Sequence, residues 1–414
     1  MNARDYLYTR VLKNGIWLYL LQIFNTVVPL LTLPYITRIL GKNQYGVFSI
    51  ALNIVSYLQV LVEYGFAMSA TRKVALNNSD DINKIFSTVI GSRILLLCMS
   101  IIISGVYVFL RQQETELCFS FVILLICLFG YCIQMNWLFQ GMQEMQYISI
   151  VNIVARSISV LCIFVFVKNK SDLYKYCLFY SITPLISGII GIIFAKRKFK
   201  LRFVRVKMED IIHELKDGFF VFTTQLSSKV FGAIGLTFLS IFATNSEVGV
   251  FSAIQKIINI VILGWSPIAQ ILYPITSRKL HKDFDEGIEF VYKIRKKILL
   301  LFTIFSLIIS LSSKVIVNII YGEEYLGYYY WIIPLSVWLI IAINNNFLGV
   351  QILLGSGYDA EYSRCFQFSV FCTVLVNAII IYTLKGDGAA VAPMISELIL
   401  YLLLKVQISK IRKY

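Results

Sequence analysis

The sequence IFSTVIGSRILLLCMSIIISGVYVFL, residues 85–110, is long enough to cross a bilayer as one helix and contains a single charged residue, Arg93. A hydrocarbon layer about 30 Å thick needs roughly 20 helical residues to span it. Residues Ile94–Ile103 show no alternation of apolar and polar side chains, so the stretch does not resemble a strand of a β-barrel. It predicts a transmembrane α-helix.

Similar stretches fill the chain on both sides of this one. Of its 414 residues, 58% are hydrophobic and only 15% are charged, which is far from the composition of soluble domains. We therefore predict an all-α integral membrane protein. Its twelve expected transmembrane helices cover Asn14–Thr37, Tyr45–Ser69, Ile85–Leu110, Leu117–Phe139, Tyr147–Val167, Leu173–Ala195, Gly218–Ala243, Val250–Thr276, Ile298–Ile320, Tyr328–Leu354, Ser363–Leu384 and Gly388–Ile408.

The basic residues predict the orientation, because loops rich in Lys and Arg stay on the cytoplasmic side. With the N-terminus inside, most of the 38 Lys and Arg fall in inner segments, above all 196–216 and 278–297. Both termini are then cytoplasmic. Anionic lipid head groups account for the net charge of +15, so no nucleic-acid partner is expected. The eight Cys and two His show no metal-ligand spacing, and neither a metal nor another cofactor is expected.

A long-period repeat divides the chain. Residues 45–55, YGVFSIALNIV, reappear at 248–258 as VGVFSAIQKII, an offset of 203 residues. Six helices per copy return the chain to the same side, so the copies should form two six-helix lobes related by a pseudo-twofold axis along the membrane normal. The expected domains are 1–200, a basic amphipathic linker at 201–217, and 218–414. Two such lobes are a recurrent transporter plan.

Several predicted helices carry polar residues on one face, which suggests either a shared internal cavity or hydrogen bonds between helices. Charged residues inside a membrane are costly and need a specific role. We expect the cavity to be lined by four intramembrane cations and three amides: Arg93, Arg156, Lys229, Lys256, Asn53, Gln255 and Asn259.

Cations within the membrane favour an anionic cargo, above all one with a phosphate group, because its charge cannot enter a medium of low dielectric constant without compensation. A cationic drug would be repelled. Two acids, Glu63 and Glu397, also fall within predicted helices. Glu397 can accept a proton or balance a lysine, and either acid can equally be a structural ion-pair partner.

A series of motifs in order along the chain resembles the Wzx-type flippases of bacterial surface polysaccharide synthesis, within the group that includes multidrug exporters and lipid II flippases. The resemblance covers nearly the whole chain. Its motifs are LPY at 33–35, GVF at 46–48, EYGF at 63–66, ATR at 70–72, WLFQG at 137–141, GVFSA at 249–253 and YGEEY at 321–325.

The resemblance implies that the chain moves an oligosaccharide repeat unit, such as an O-antigen unit linked to undecaprenyl diphosphate, from the inner to the outer leaflet of the bacterial cytoplasmic membrane. It implies alternating access, a cationic cavity that includes the stretch around Lys256, and coupling to H⁺ or Na⁺, for which Glu63 and Glu397 are the candidate residues. Polysaccharide assembly proteins are possible partners.

Three alternatives remain open. A multidrug exporter fits the architecture, but the intramembrane cations disfavour it. The sequence distinguishes a lipid II flippase from a repeat-unit flippase less clearly. A membrane glycosyltransferase or polysaccharide polymerase would need room for an active site outside the membrane. The predicted outer loops, such as Gln112–Glu116 and Lys385–Asp387, are too short for one. We therefore expect no catalytic residues and no enzymatic activity.

Overall fold

The computed structural model describes residues 3–76 and 79–412, with side chains described for 14–76 and 82–412. All regular elements in these ranges are helical, which confirms the predicted all-α class. Nine helices of the described part are long and apolar enough to cross a membrane, or ten if one bent pair counts as a single span. The expected number of twelve stays a prediction.

The first helix shows why the number of candidate spans differs from the number of predicted helices. Helix α1 (Ala3–Glu63) is 61 residues long. At 1.5 Å per residue it would extend about 90 Å, roughly three times the thickness of the hydrocarbon layer. Gly41 interrupts it with φ 72° and ψ 171°, a backbone conformation that glycine adopts without steric cost. The first predicted helix lies before Gly41, and the second, Tyr45–Ser69, begins after it but runs past the end of α1 at Glu63.

The other α-helices follow in short succession: α2 (Phe66–Leu76), α3 (Ser79–Leu110), α4 (Thr115–Leu124), α5 (Ile126–Ile133), α6 (Asn136–Gly141), α7 (Met145–Phe166), α8 (Leu173–Phe199), α9 (Met208–Phe242), α10 (Asn245–Lys282), α11 (Phe284–Leu311), α12 (Ser313–Tyr321), α13 (Ile332–Asn346) and α14 (Asp359–Ile411). Short 3₁₀ segments cover Lys170–Asp172, Glu323–Trp331 and Leu354–Ser356, and a π-helical segment covers Phe347–Leu353.

The observed helices are interrupted at several points. The fourth predicted helix consists of α4, α5 and α6, with breaks at Leu125 and at Gln134–Met135. Helices α11 and α12 meet at a bend of 68°. In α14, Lys385 has φ 48° and ψ −121°, which separates the regions predicted as the last two helices. Each break leaves backbone groups without their helical partners, so other groups must satisfy them.

The chain forms two compact units. The first comprises Met1–Leu40 and Val47–Lys229, and the second comprises Gly41–Gly46 and Val230–Tyr414. The division falls inside α9, whose first turns belong to the predicted linker. Residues 201–207 precede this helix in a non-helical conformation. The predicted domain limits at residues 200 and 218 stay a prediction.

In the first unit, the core packs aromatic side chains from α2, α3 and α6. Phe66, Phe86, Trp137 and Phe139 are almost completely buried there. The hydroxyl of Thr71 in α2 donates to the backbone oxygen of Trp137 at 3.0 Å. In a membrane such close packing and hydrogen bonding hold helices together, because lipid is as apolar as the helix surfaces.

In the second unit, the core lies among α10, α11, α13 and the π-helical segment. Trp265 of α10 packs against Phe347 with ring centroids 5.1 Å apart. The buried hydroxyl of Tyr321 donates to the backbone oxygen of Ala253 at 2.6 Å. This bond fixes the end of α12 against the start of α10.

The two copies of the repeated motif contact each other within the second unit. A Cβ added to Gly46 would lie 1.7 Å from the backbone oxygen of Asn245, and one added to Gly249 would lie 2.0 Å from that of Lys42. The offset of 203 residues relates Gly46 to Gly249 and also Lys42 to Asn245. Corresponding backbone atoms therefore approach in pairs, and only glycine fits at either crossing position.

Candidate functional site

Arg156 lies half-buried in α7 of the first unit, with its guanidinium turned towards α1. Its Nη1 donates to the Oδ1 atom of Asn25 at 2.7 Å. Asn25 carries no charge, and Arg156 takes part in no ion pair with the described residues. The positive charge of Arg156 is therefore oriented by a neutral group without being neutralised.

The rest of the polar face of α7 serves helix packing. Ser149 donates to the backbone oxygen of Trp17 at 2.7 Å, and Ser159 donates to that of Phe179 at 2.6 Å. Asn152 accepts hydrogen bonds from other helices, including one from Ser187 at 3.1 Å. Hydrogen bonding between helices, one of the two explanations open from the sequence, accounts for these three residues.

Lys229 lies half-buried in α9 at the end of the first unit. Its Nζ is 5.9 Å from the centroid of the Tyr57 ring in α1, within the range of a cation–π interaction. Like Arg156, it forms no ion pair in the described part of the chain. Asn53, predicted to line the same cavity, is half-buried one turn before Tyr57 in α1.

Arg93 in α3 is buried, with 4% of its surface exposed. Its Nη1 donates to the backbone oxygens of Tyr131, Cys132 and Gln134, at 3.2, 3.5 and 2.7 Å. These oxygens lie at the end of α5, where the chain breaks before α6, and that of Tyr131 also accepts from the backbone N–H of Gln134 at 3.4 Å. The guanidinium therefore stabilises an interrupted helix, a structural role that its sequence position did not indicate.

Glu63 is the last residue of α1 and is half-buried. Its Oε1 accepts a hydrogen bond from Gln59 at 3.2 Å. Its charge also interacts with that of Arg93. Ion coupling and structural pairing with Arg93 both stay open for this acid.

Lys256 lies in α10 of the second unit. Its Nζ donates to the hydroxyl of Tyr45 at 2.8 Å and lies 5.4 Å from the centroid of the Tyr45 ring. Asn259, three residues later, is exposed. The structure thus places Lys256 beside the segment Gly41–Gly46, next to the crossing of the two repeat motifs.

A small cavity of about 70 Å³ in the second unit brings Gln255 and Glu397 together. Glu397 of α14 is 8% exposed, and its Oε2 accepts a hydrogen bond from Asn345 of α13 at 2.6 Å. Asn377 and Ser396, joined by a hydrogen bond of 3.2 Å, also line this cavity. A carboxylate surrounded by amide and hydroxyl groups provides oxygen ligands for a small hard cation, or a base for a proton.

Two glycines of α9, Gly232 and Gly235, also line this cavity. A Cβ on Gly235 would lie 3.0 Å from Oδ1 of Asn377, so a larger residue would press on the amide. The sequence reasoning did not select Asn345, Asn377 or Ser396. The run Asn344–Asn346 within an apolar span was a usable signal for the first, because unpaired amides are costly in lipid. The other two are single polar residues without a distinguishing pattern.

Comparison with known proteins now adds to this geometry. The profile of the family described as "Polysaccharide biosynthesis protein" matches residues 11–280. The chain belongs to this family. The resemblance read from the motifs is thereby confirmed.

A protein of Escherichia coli (strain K12) named as an O-antigen transporter is 27% identical over 390 residues, which cover 93% of each chain. Among solved structures, the lipid II flippase MurJ in an inward closed conformation has a TM-score of 0.76 at 13% identity, over 96% of this chain and 87% of that one. An inward-facing multidrug resistance MATE transporter has a TM-score of 0.65 at 14% identity, over 94% and 99%. These structures share the fold of this family member.

Proposed function

We propose that the chain is a flippase that moves an undecaprenyl-diphosphate-linked oligosaccharide repeat unit from the inner to the outer leaflet of the bacterial cytoplasmic membrane. The family, the relative named as an O-antigen transporter, and the flippase fold support this proposal. Twelve crossings in two six-helix lobes would alternately open to each side, and both termini would lie in the cytoplasm. The protein forms or breaks no covalent bond.

The proposal depends above all on the surroundings of Arg156 and Lys229. Both are half-buried in membrane-spanning helices, and their described partners are the neutral Asn25 and Tyr57. A charge held in this way attracts an anion, because electrostatic interactions strengthen in a medium of low dielectric constant. A diphosphate offers several oxygens to the planar guanidinium, which can donate two parallel hydrogen bonds.

We propose that Glu397 couples transport to an ion gradient. Its carboxylate lines an enclosed cavity with Asn377 and Ser396, which suits one proton or one sodium ion. The acid and the proposed diphosphate site lie in different units, so cargo binding and ion binding use separate groups. Cavity roles for Lys256, Asn53, Gln255 and Asn259 remain part of the proposal. For Arg93 we propose a role in the fold, and for Glu63 both ion coupling and pairing with Arg93 remain candidates.

The decisive experiment replaces Arg156 or Lys229 with Gln in a strain that depends on this chain for its surface polysaccharide. We expect surface polymer to fall at least tenfold while lipid-linked repeat units accumulate on the cytoplasmic leaflet. The matched control is Lys314→Gln, at an exposed lysine near the start of α12, and it should leave polymer unchanged. Normal polymer in both variants, at normal protein levels, would remove these cations from the mechanism.

A lipid II flippase carries cargo with the same diphosphate linkage, so these variants do not separate the two functions. Depletion of the protein separates them. Loss of surface polysaccharide with continued growth supports the repeat-unit flippase, whereas growth arrest through failed wall synthesis favours lipid II. A multidrug exporter would instead leave both polymers intact and raise drug sensitivity.

A further inference from the structure

The segment that joins α8 to α9 is strongly basic. Residues 196–207, KRKFKLRFVRVK, contain seven Lys and Arg and no acid, and we name them the basic strip. One of the seven, Lys198, pairs with Glu144 at 3.0 Å. The other six are exposed and form no ion pair with described residues; they are Lys196, Arg197, Lys200, Arg202, Arg205 and Lys207.

The basic strip is fixed in place although part of it is non-helical. The backbone N–H of Arg202 donates to Oδ1 of Asn83 at 2.8 Å, and that of Val204 donates to Oγ of Ser87 at 2.9 Å. Both acceptors belong to the first turns of α3. The charges are therefore held on the surface of the first unit in a defined arrangement, which lowers the entropy lost when a partner binds.

Apolar side chains stand among these charges. Phe203 is 57% exposed and Val204 is 47% exposed. The Phe203 ring packs partly on Phe86, with centroids 5.0 Å apart, and Nζ of Lys196 lies 4.6 Å from its centroid. Exposed apolar groups flanked by cations are typical of segments that lie at the boundary between lipid head groups and acyl chains.

The position of the strip selects its partner. It starts in the last turn of α8, a candidate membrane span, so the bilayer surface lies directly beside it. Clusters of four to eight basic residues next to a span attract anionic head groups. We propose that the basic strip binds acidic phospholipids of the adjacent leaflet, with Phe203 and Val204 inserted between head groups. This role goes beyond the transport function and does not require the cargo.

The test measures lipid binding to the full chain purified in neutral detergent, with dioleoylphosphatidylglycerol or dioleoylphosphatidylcholine as the probe and native mass spectrometry as the readout. We expect phosphatidylglycerol to bind at least tenfold more tightly. Arg202→Gln with Arg205→Gln should abolish most of this preference, because each basic residue near an anionic surface accounts for about fivefold in affinity. Phe203→Ser should weaken binding about threefold without a change in charge.

The matched control is Lys314→Gln with Lys385→Gln. These two exposed lysines carry the same charge as Arg202 and Arg205 but stand alone in the sequence, outside any basic cluster, and their loss should change affinity less than twofold. An equal loss in the control would show that net charge alone acts and would overturn the proposal, as would full binding by the Arg202 and Arg205 variant. Competition by inorganic phosphate at the same concentration would also overturn it, in favour of a free-phosphate site.

If the arginine variant fails to fold, Lys200→Gln with Lys207→Gln tests the same strip. Because lipid counting involves no transport, its failure leaves the flippase proposal unaffected.

Discussion

The paired glycines at the motif crossing make a sharp prediction. In Gly249→Ala the new Cβ would lie 2.0 Å from the Lys42 oxygen and 2.8 Å from the Gly46 nitrogen. An ordinary contact needs about 3.4 Å, so the two helix starts must separate by more than 1 Å. Overpacking usually costs about 1–3 kcal/mol even where side chains can adjust. Here the obstruction is backbone, and we expect a loss of about 3 kcal/mol or more.

The control for this prediction lies on the same helix. Gly264 of α10 has no atom within 4 Å of an added Cβ, so Gly264→Ala should be tolerated and stabilise the helix by about 0.5–1 kcal/mol. The assay is the thermal unfolding midpoint of purified protein in detergent. We expect Gly249→Ala and Gly46→Ala to lower it and Gly264→Ala to raise it slightly. A midpoint for Gly249→Ala at or above the wild-type value would refute the inferred backbone contact.

Three further predictions follow from named contacts. Arg93→Gln should destabilise the protein by about 3 kcal/mol, since buried carbonyl oxygens lose their donor, and a wild-type unfolding midpoint would contradict this role. Glu397→Gln should keep the protein folded but abolish transport driven by an ion gradient in proteoliposomes; gradient-driven uptake at the wild-type rate would exclude Glu397 from coupling. Lys73 pairs with Glu214 at 2.8 Å, so Lys73→Glu should lower the stability of the protein, and adding Glu214→Lys should restore part of it. A double variant that is no more stable than Lys73→Glu alone would show that the pair contributes little.

Hydropathy predicted the class of the fold because the bilayer requires long apolar helices of any chain that crosses it. It predicted a loop at Lys385–Asp387, where Lys385 interrupts α14, but no break at Gln134–Met135. A backbone break is tolerated only when distant groups satisfy its polar atoms, and for Gln134 this group is Arg93, 41 residues earlier. Such a pairing is fixed by tertiary packing and leaves no local pattern in the sequence.

The candidate site was only partly predictable for a related reason. Helical periodicity shows which residues share a face but not what that face contacts. On α7, one stripe contains both Arg156, which bonds to a neutral amide, and Ser149 and Ser159, which bond to neighbouring backbones. In the second unit, Gln255 and Glu397 line one cavity although 142 positions separate them in the sequence.

Arg93 and Arg156, the two arginines within helices of the first unit that we predict to cross the membrane, differ in what their guanidinium groups contact. A guanidinium has five N–H donors. Arg93 directs its hydrogen bonds to backbone oxygens at the break after α5, so an anion that displaced these contacts would disturb the break. Arg156 makes its described hydrogen bond to a neutral side-chain amide, which a phosphate oxygen can replace without disturbing any backbone. A diphosphate should therefore bind Arg156 rather than Arg93, although Arg93 is the more deeply buried of the two.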